Sequence, residues 1–185
     1  MTVKKIKKMI MLQDIKNSTR KSGDFGEGIA KKWLEEEWEI IDVSSQDKSF
    51  FDQDELKKSG AKRPDFVSIF DDNDDNQKVI LWDAKFHNVE NNSFKLTVEE
   101  ICKYRKLREL FSEKMECEVS DVHIIFMIFP KSDDGNQMYL AHLTEFKHGT
   151  ETVLNGEPAK EIILKDVNCY DTSLIQREEL EKLLS

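Results

Sequence analysis

The sequence contains little cysteine and proline and has no long apolar run. Its three cysteines, Cys102, Cys117 and Cys169, are an odd number without CxxC spacing. This argues against a disulfide framework and against a structural zinc site. No apolar run approaches the roughly 20 residues of a membrane span, and the basic start precedes too few apolar residues for a signal peptide. We therefore expect an intracellular protein with reduced thiols and no membrane contact.

Basic residues are outnumbered by acidic residues. The chain has 37 Asp and Glu against 28 Lys and Arg, and its formal net charge is −9. This balance disfavours a broad basic surface of the kind that coats nucleic acid. The charge is uneven, however, because the first 21 residues are strongly basic and Lys103, Arg105 and Arg108 belong to a second basic cluster. Such clusters can attract phosphate despite a negative total.

Length and composition fit one ordinary globular domain. The chain has 185 residues, of which 38% are hydrophobic and 35% charged. A chain of this size buries a core without disulfides or metals, and its apolar content is too high for disorder. We predict a basic arm or helix over residues 1–21 and a single domain over residues 22–185.

Hydrophobic periodicity predicts helices alternating with strands, and hence an α/β fold with a mixed central sheet flanked by helices. The acidic segment 71–76 is expected to join two strands as a hairpin. Segment 44–60 is polar and poorly periodic, which favours a loop. Cys102 lies beside the apolar positions of a predicted helix and is expected in the core. Predicted helices begin at Asp24, Thr97 and Ser173, and predicted strands cover 40–43, 63–70, 78–86, 121–129, 138–146 and 161–167.

Two of the predicted strands carry charged residues among apolar ones. Arg63-Pro64-Asp65-Phe66-Val67 begins the first strand, and Asp83-Ala84-Lys85 lies near the end of the second. Desolvating a charge is costly, so carboxylates and an amine on adjacent strands need an explanation beyond packing. Because side chains alternate along a strand, Asp83 and Lys85 point to the same face. The simplest explanation is a divalent metal site.

These residues, with Glu27 on the preceding helix and an amphipathic helix after them, resemble the PD-(D/E)xK nuclease superfamily over about residues 24–130. This superfamily includes restriction enzymes, junction resolvases and RecB-like exonucleases. Within it, the pairing of Pro-Asp with Asp-Ala-Lys looks most like RecB-like modules and the nuclease modules of modification-dependent restriction systems. The resemblance implies a restriction-endonuclease-like fold and Mg²⁺-dependent hydrolysis of DNA phosphodiesters, with Mn²⁺ able to replace Mg²⁺.

The resemblance also implies roles for individual residues. Asp65, Asp83, Glu27 and the backbone carbonyl of Ala84 would hold the metal, since Mg²⁺ prefers oxygen ligands. Lys85 would orient or activate the attacking water and offset phosphate charge. Glu27, Asp65, Asp83 and Lys85 are therefore the expected catalytic residues.

The helix that begins after Thr97 carries further candidates. Glu100 and Tyr104 lie one turn apart and resemble the Gln-x-x-x-Tyr motif of the RecB-like branch, with Glu in place of Gln. Lys103, Arg105 and Arg108 are candidate phosphate contacts. Glu100 also completes a capping box with Thr97, and Tyr104 fits a core position, so a purely structural role for both stays open.

Several alternatives remain at this level. The same fold serves RNA cleavage, although DNA is the favoured substrate. A catalytically silent domain that binds nucleic acid or a partner protein is a second hypothesis, and an acidic interaction module is a third. A motor or specificity subunit would help a small acidic nuclease to select its substrate. A homodimer would supply the two active sites that paired-strand cutting needs.

Overall fold

Two β-sheets and three helices make up the described part of the computed structural model, a mixed α/β fold. The structure describes residues 22–37, 41–42, 53–71, 77–87, 92–130, 137–165 and 169–171. The helices are α1 (Ser22–Glu37), α2 (Gln53–Ser59) and α3 (Val98–Met115). The strands are β1 (Ile41–Asp42), β2 (Phe66–Asp71), β3 (Gln77–His87), β4 (Ser93–Thr97), β5 (Val122–Pro130), β6 (Gln137–His142), β7 (Thr150–Leu154), β8 (Glu157–Ile163) and β9 (Cys169–Asp171). Short 3₁₀ segments cover Val119–Asp121 and Leu143–Lys147.

The larger sheet is mixed. Its strand order is β1-β2-β3-β5-β6-β9, with four long inner strands and edge strands of only 2 and 3 residues. β3 and β5 run parallel, whereas the other neighbouring pairs are antiparallel. A parallel pair needs a crossover connection, which β4 and α3 provide. α3, the helix of this crossover, packs against β5 and donates a hydrogen bond from Tyr104 to Asp83 on β3.

Both faces of the larger sheet are covered. On one face α1 packs through Trp33, whose ring centroid lies 6.3 Å from that of Trp82. On the other face lie α3 and the second sheet, of order β4-β8-β7. There the ring centroids of Tyr104 and Phe126 are 4.9 Å apart. Central strands covered on both faces are apolar on both, which explains the continuous apolar run of β5. Asp83 falls on the α3 face because Leu81, two residues earlier, belongs to that core.

Most of the predicted elements are confirmed. The hairpin forms as β2 and β3, with Phe66 opposite Trp82 and Asp71 opposite Gln77. The predicted helices at Asp24 and Thr97 correspond to α1 and α3, and the predicted strand 121–129 corresponds to β5. Asp65 itself precedes β2 by one residue instead of lying within the strand. A mixed sheet flanked by helices is thus present.

The predicted loop over 44–60 is wrong in its second half, because residues 53–59 form α2. Acidic Asp54 and Glu55 in the first turn and basic Lys57 and Lys58 in the last turn complement the helix dipole. Leu56 is the buried hydrophobic residue of this helix. One buried position gives no detectable period, so the helix was not predicted.

Other boundaries were also wrong. The strand predicted over 138–146 ends at His142, where the His142 side chain accepts a hydrogen bond from the backbone N–H of Thr144 and caps a 3₁₀ turn. β4 and β7 were not predicted, and β8 lies earlier than the strand predicted over 161–167. Cys102 is exposed and not in the core. The predicted basic arm over 1–21 and the helix predicted from Ser173 lie outside the described residues.

Within the described ranges, no helix combines the length and the apolar character needed to cross a bilayer.

Candidate metal centre and active site

The hairpin brings Asp65 and Asp83 together. The backbone N–H of Asp65 donates to the Trp82 carbonyl at 2.9 Å, and Asp65 Oδ2 accepts from the Ala84 N–H at 2.7 Å. The Asp65 carboxylate is therefore fixed beside the strand that carries Asp83. Pro64 is buried just before it and limits the backbone there to one φ value. One oxygen of Asp65 is held by the backbone, and the other remains available to a cation.

Asp83 is the most deeply buried charged residue of the site. It is 2% exposed, and its Oδ1 accepts a hydrogen bond from Tyr104 Oη at 2.7 Å. Its Oδ2 lies 2.6 Å from Lys85 Nζ. This contact is a charge-assisted ion pair, and no other donor reaches Oδ2 among the described residues. A buried carboxylate oxygen is also a ligand that Mg²⁺ accepts.

Glu27 lies on α1, and its negative charge helps to raise the pKa of Asp65. The adjacent Gly26 lets the helix approach β3, because a Cβ at Gly26 would lie only 2.9 Å from the Phe86 Cβ. A side chain at this position would force the helix and the strand apart. The glycine therefore helps to set the distance from Glu27 to the hairpin.

The carboxyl of Asp65 titrates unusually high. Burial and the negative charges of Asp83 and Glu27 raise its pKa to about 7, although the Ala84 N–H and Lys85 oppose the shift. In Lys85, burial would lower the pKa, but the contacts with Asp83, Lys62 and Asp65 outweigh it and raise the pKa. Negative charge is thus in excess around Asp65, which a divalent cation would relieve.

Lys62 is a site residue that the sequence analysis missed. Its Nζ lies 3.8 Å from Asp83 Oδ1, 3.5 Å from Glu100 Oε1 and 5.0 Å from the centre of the Tyr104 ring. Burial and the neighbouring Lys85 lower the pKa of Lys62, while Asp83 and Glu100 counteract this. The site therefore has two lysines on one buried carboxylate.

The α3 candidates divide into two groups. Glu100 and Tyr104 join the site, the former through Lys62 and the latter through Asp83. The capping box of Thr97 and Glu100 is also present, and Tyr104 is fully buried, so both residues have a structural role as well. Burial and the charge of Asp83 raise the pKa of Tyr104 well above its usual value, so its hydroxyl stays protonated and donates.

Over the residues that the structure describes, the three basic candidates on α3 do not contact the site carboxylates. Lys103 forms a salt bridge with Glu99, one turn earlier, and Arg105 is exposed. Arg108 donates from Nε to the Val122 carbonyl at 2.8 Å and from Nη2 to the Val119 carbonyl at 2.7 Å. Its guanidinium thus fastens α3 to the start of β5. Among the described residues, none of the three contacts the carboxylates in a hydrogen bond or salt bridge.

The donor set fits Mg²⁺ or Mn²⁺ bound with waters. In the described part of the chain, no group of three or more His, Cys, Asp or Glu side chains is arranged to hold a metal by itself. Mg²⁺ does not need such a group, because it usually keeps several waters and uses one or two carboxylates plus substrate oxygens. Asp65, Asp83 and the Ala84 carbonyl would supply the protein ligands, and a role for Glu27 as a further ligand stays a prediction.

The sequence matches no protein-family model and no curated protein, and the fold matches no solved structure.

Proposed function

We propose that this protein is a metal-dependent endonuclease of the PD-(D/E)xK type that hydrolyses phosphodiester bonds in DNA. The observation that carries the proposal is the grouping of Asp65, Asp83 and Lys85 at one end of a hairpin, with Asp83 buried and paired with Lys85. A surface hairpin with ordinary salt bridges would leave these charges in water.

The energetics favour a functional reason for this grouping. Burial of an ionised carboxylate costs several kcal/mol, and replacement of a buried ion pair by apolar residues is often neutral or stabilising. Asp83 is nevertheless buried in a sheet where the residue directly opposite it on β5 is the apolar Phe126. We infer that the charge is kept for ligand binding. A mixed sheet flanked by helices is compatible with a restriction-endonuclease-like fold.

The residues present can perform the parts of hydrolysis that belong to the protein. A divalent metal in this site would polarise the scissile phosphate and make a water nucleophilic near neutral pH. Lys85, on the same face as Asp83, is placed to orient the attacking water and to offset the charge that develops on the phosphate. Tyr104 fixes the Asp83 carboxylate through its hydrogen bond, which keeps the geometry constant during the reaction.

DNA is favoured by the resemblance, and an RNA endonuclease of the same fold is the alternative. Arg105 and Lys103, partly or fully exposed on α3, remain candidates for distant phosphate contacts, whereas Arg108 is committed to backbone carbonyls. We also propose that a motor or specificity subunit, or a second copy of the chain, contributes to substrate selection.

A cleavage assay tests the proposal. The purified protein and the Asp83→Ala and Lys85→Ala variants are incubated with labelled single-stranded, duplex and branched DNA and with RNA, in Mg²⁺, Mn²⁺ or chelator. We expect metal-dependent cleavage of DNA that both substitutions reduce by at least about a hundredfold. Cleavage that persists in chelator or in both variants would refute the assignment. Metal binding without cleavage of any substrate would indicate that a partner subunit is missing, and absence of metal binding as well would favour the silent binding domain.

A further inference from the structure

Lys62, the second lysine of the site, takes no part in the proposed reaction as a metal ligand or as the residue that orients water. Lys62 lies closer to solvent than its neighbours, since 31% of its side chain is exposed against 20% for Lys85 and 3% for Asp83. Its amine therefore occupies the boundary between the buried carboxylate and the outside. A ligand that approaches Asp83 from solvent would meet Lys62 at this boundary.

Lys62 is not needed to compensate Asp83. Tyr104 already donates to Asp83 Oδ1 at 2.7 Å, and Lys85 pairs with Oδ2 at 2.6 Å. The Lys62 amine lies 3.8 Å from Asp83 and 3.5 Å from Glu100, both longer than the usual 2.7–2.9 Å of a charge-assisted hydrogen bond. Lys62 is thus held near the site by charge, by the Tyr104 ring and by its contact with Lys85, without a short hydrogen bond to a carboxylate.

The backbone directs Lys62 to this position. After α2, the Gly60 N–H donates to the Lys57 carbonyl and the Ala61 N–H donates to the Leu56 carbonyl. Gly60 has a φ of +67°, and this pattern is a Schellman motif with glycine at the left-handed position. The motif ends the helix and turns the chain toward α3. Lys62 follows two residues later, opposite Glu100.

Charge balance indicates what Lys62 serves. Asp65, Asp83 and Glu100 bring negative charge to the two amines of this site. These carboxylates would repel a phosphodiester that approaches Asp83 from solvent, and the amine of Lys62 at the boundary would offset that repulsion.

We propose that Lys62 binds a non-bridging oxygen of the substrate phosphate, as a second cationic contact beside Lys85. This inference rests on the proposed metal-dependent function of the same site. Glu100 and the Tyr104 ring act as positioning groups that hold the amine toward the phosphate. The interaction adds no covalent step. It supplies charge where the phosphate enters and where charge develops in the transition state.

Binding of inorganic phosphate to the Mn²⁺-loaded protein tests the inference, through the broadening of the ³¹P resonance by Mn²⁺. We expect Lys62→Gln to weaken phosphate binding by about tenfold or more, the loss typical of a charged hydrogen bond, and to leave Mn²⁺ affinity within about threefold. Lys62→Arg keeps the charge and should retain most of the binding. Lys95→Gln is the matched control, because it removes the same charge from a lysine of similar side-chain exposure, 35%, that pairs with Glu161.

The outcomes separate the two proposals. If Lys62→Gln weakens phosphate binding no more than Lys95→Gln does, Lys62 is not a phosphate contact, whereas the metal site stands. If the wild-type protein binds no Mn²⁺, the proposed function fails and the inference fails with it. Thermal unfolding of each variant identifies a loss that comes from misfolding, and rescue by arginine excludes it. Where cleavage is observed, the loss in Lys62→Gln should appear in kcat/KM.

Discussion

At the scale of single residues, Asp83 has three polar neighbours on the same face of the larger sheet. Lys85 pairs with one carboxylate oxygen, and Tyr104 donates to the other, with Lys62 farther out. Each neighbour comes from a different segment of the chain: the same strand, the crossover helix and the segment after α2. The position of this one carboxylate therefore depends on the packing of all three.

Tyr104→Phe isolates the hydrogen bond to Asp83. The ring would keep its contact with Phe126 at 4.9 Å, but a buried carboxylate oxygen would lose its donor. We expect the free energy of unfolding in chelator to fall by about 1–3 kcal/mol, the usual cost of leaving a buried acceptor unsatisfied. Urea denaturation measures this loss. An unchanged midpoint would show that the hydroxyl does not support Asp83.

The carboxylates and Lys85 could be predicted from the sequence, whereas Lys62 could not. Asp83 and Lys85 follow from strand alternation, and Asp65 follows from the hairpin, because both depend only on local patterns. Lys62 depends on how α2 packs along α3, through Lys114–Glu55 at one end and Gly60 near Lys106 at the other. A non-local contact of this kind leaves no period in the sequence. The glycine that follows the short charged segment is a signal for a helix end, but the polar composition around it favours a loop.

At the scale of secondary-structure elements, two glycines control how the segments meet at the site. Gly26 allows α1 to lie against β3, and Gly60 ends α2 in the left-handed region. Neither contributes a functional group. Each sets the position of a charged residue that follows it, Glu27 in the first case and Lys62 in the second.

Gly26→Ala should move α1 away from β3, because its Cβ would meet the Phe86 Cβ at 2.9 Å. We expect a loss of about 1–3 kcal/mol in the free energy of unfolding, as for other overpacked sites, and Mn²⁺ affinity weaker by about tenfold through displacement of Glu27. Isothermal titration with Mn²⁺ measures the affinity. Glu35→Ala, on an exposed turn of the same helix, is the control and should change neither quantity. Normal Mn²⁺ affinity in Gly26→Ala would mean that Glu27 does not assist the metal.

Gly60→Ala should strain the end of α2, since alanine tolerates a φ of +67° poorly. The expected destabilisation is about 1 kcal/mol, measured by urea denaturation. Gly156→Ala provides a comparison, because Gly156 also has a positive φ but lies at the β7–β8 turn, with open space around it. Both variants should lose stability, but only Gly60→Ala should weaken phosphate binding. Equal phosphate binding in the two variants would argue against the role of this motif in placing Lys62.

The fold could be predicted in its centre and not at its periphery. β3, β5 and α3 have long apolar patterns because both faces of the larger sheet are covered. The second sheet has short strands, and β7 is largely exposed, so its residues carry little hydrophobic pattern. Elements of this kind are defined by pairing with distant partners, such as β4 with β8. Local propensity does not specify such pairing.

At the scale of the whole molecule, the titration of Asp65 couples the free energy of unfolding to pH. The folded-state pKa of Asp65 is raised from 3.8 to about 7. A raised carboxyl pKa stabilises the folded state below about pH 4, and this contribution is lost as the pH rises toward 7. The shift corresponds to at most about 4 kcal/mol, and partial exposure of the residue reduces this figure.

Asp65→Asn should remove this pH dependence. Burial lowers the pKa of His142 to about 4 and also lowers that of His123, so these residues give the opposite slope between about pH 4 and 6.5. The informative quantity is therefore the difference between the wild-type protein and Asp65→Asn across pH 4–8 in chelator. We expect the variant to gain stability relative to wild type as the pH rises. A difference that does not vary with pH would refute the raised pKa of Asp65.

The proposal as a whole depends on whether the carboxylates bind a divalent metal, and electron paramagnetic resonance with Mn²⁺ at pH 7.5 measures this directly. The account predicts one bound Mn²⁺ per chain, displaced by Mg²⁺, and loss of binding by at least about tenfold in both Asp65→Asn and Asp83→Asn. Lys103→Gln should bind Mn²⁺ as the wild-type protein does. Wild-type protein that leaves Mn²⁺ free, or variants that bind it equally well, would contradict the account.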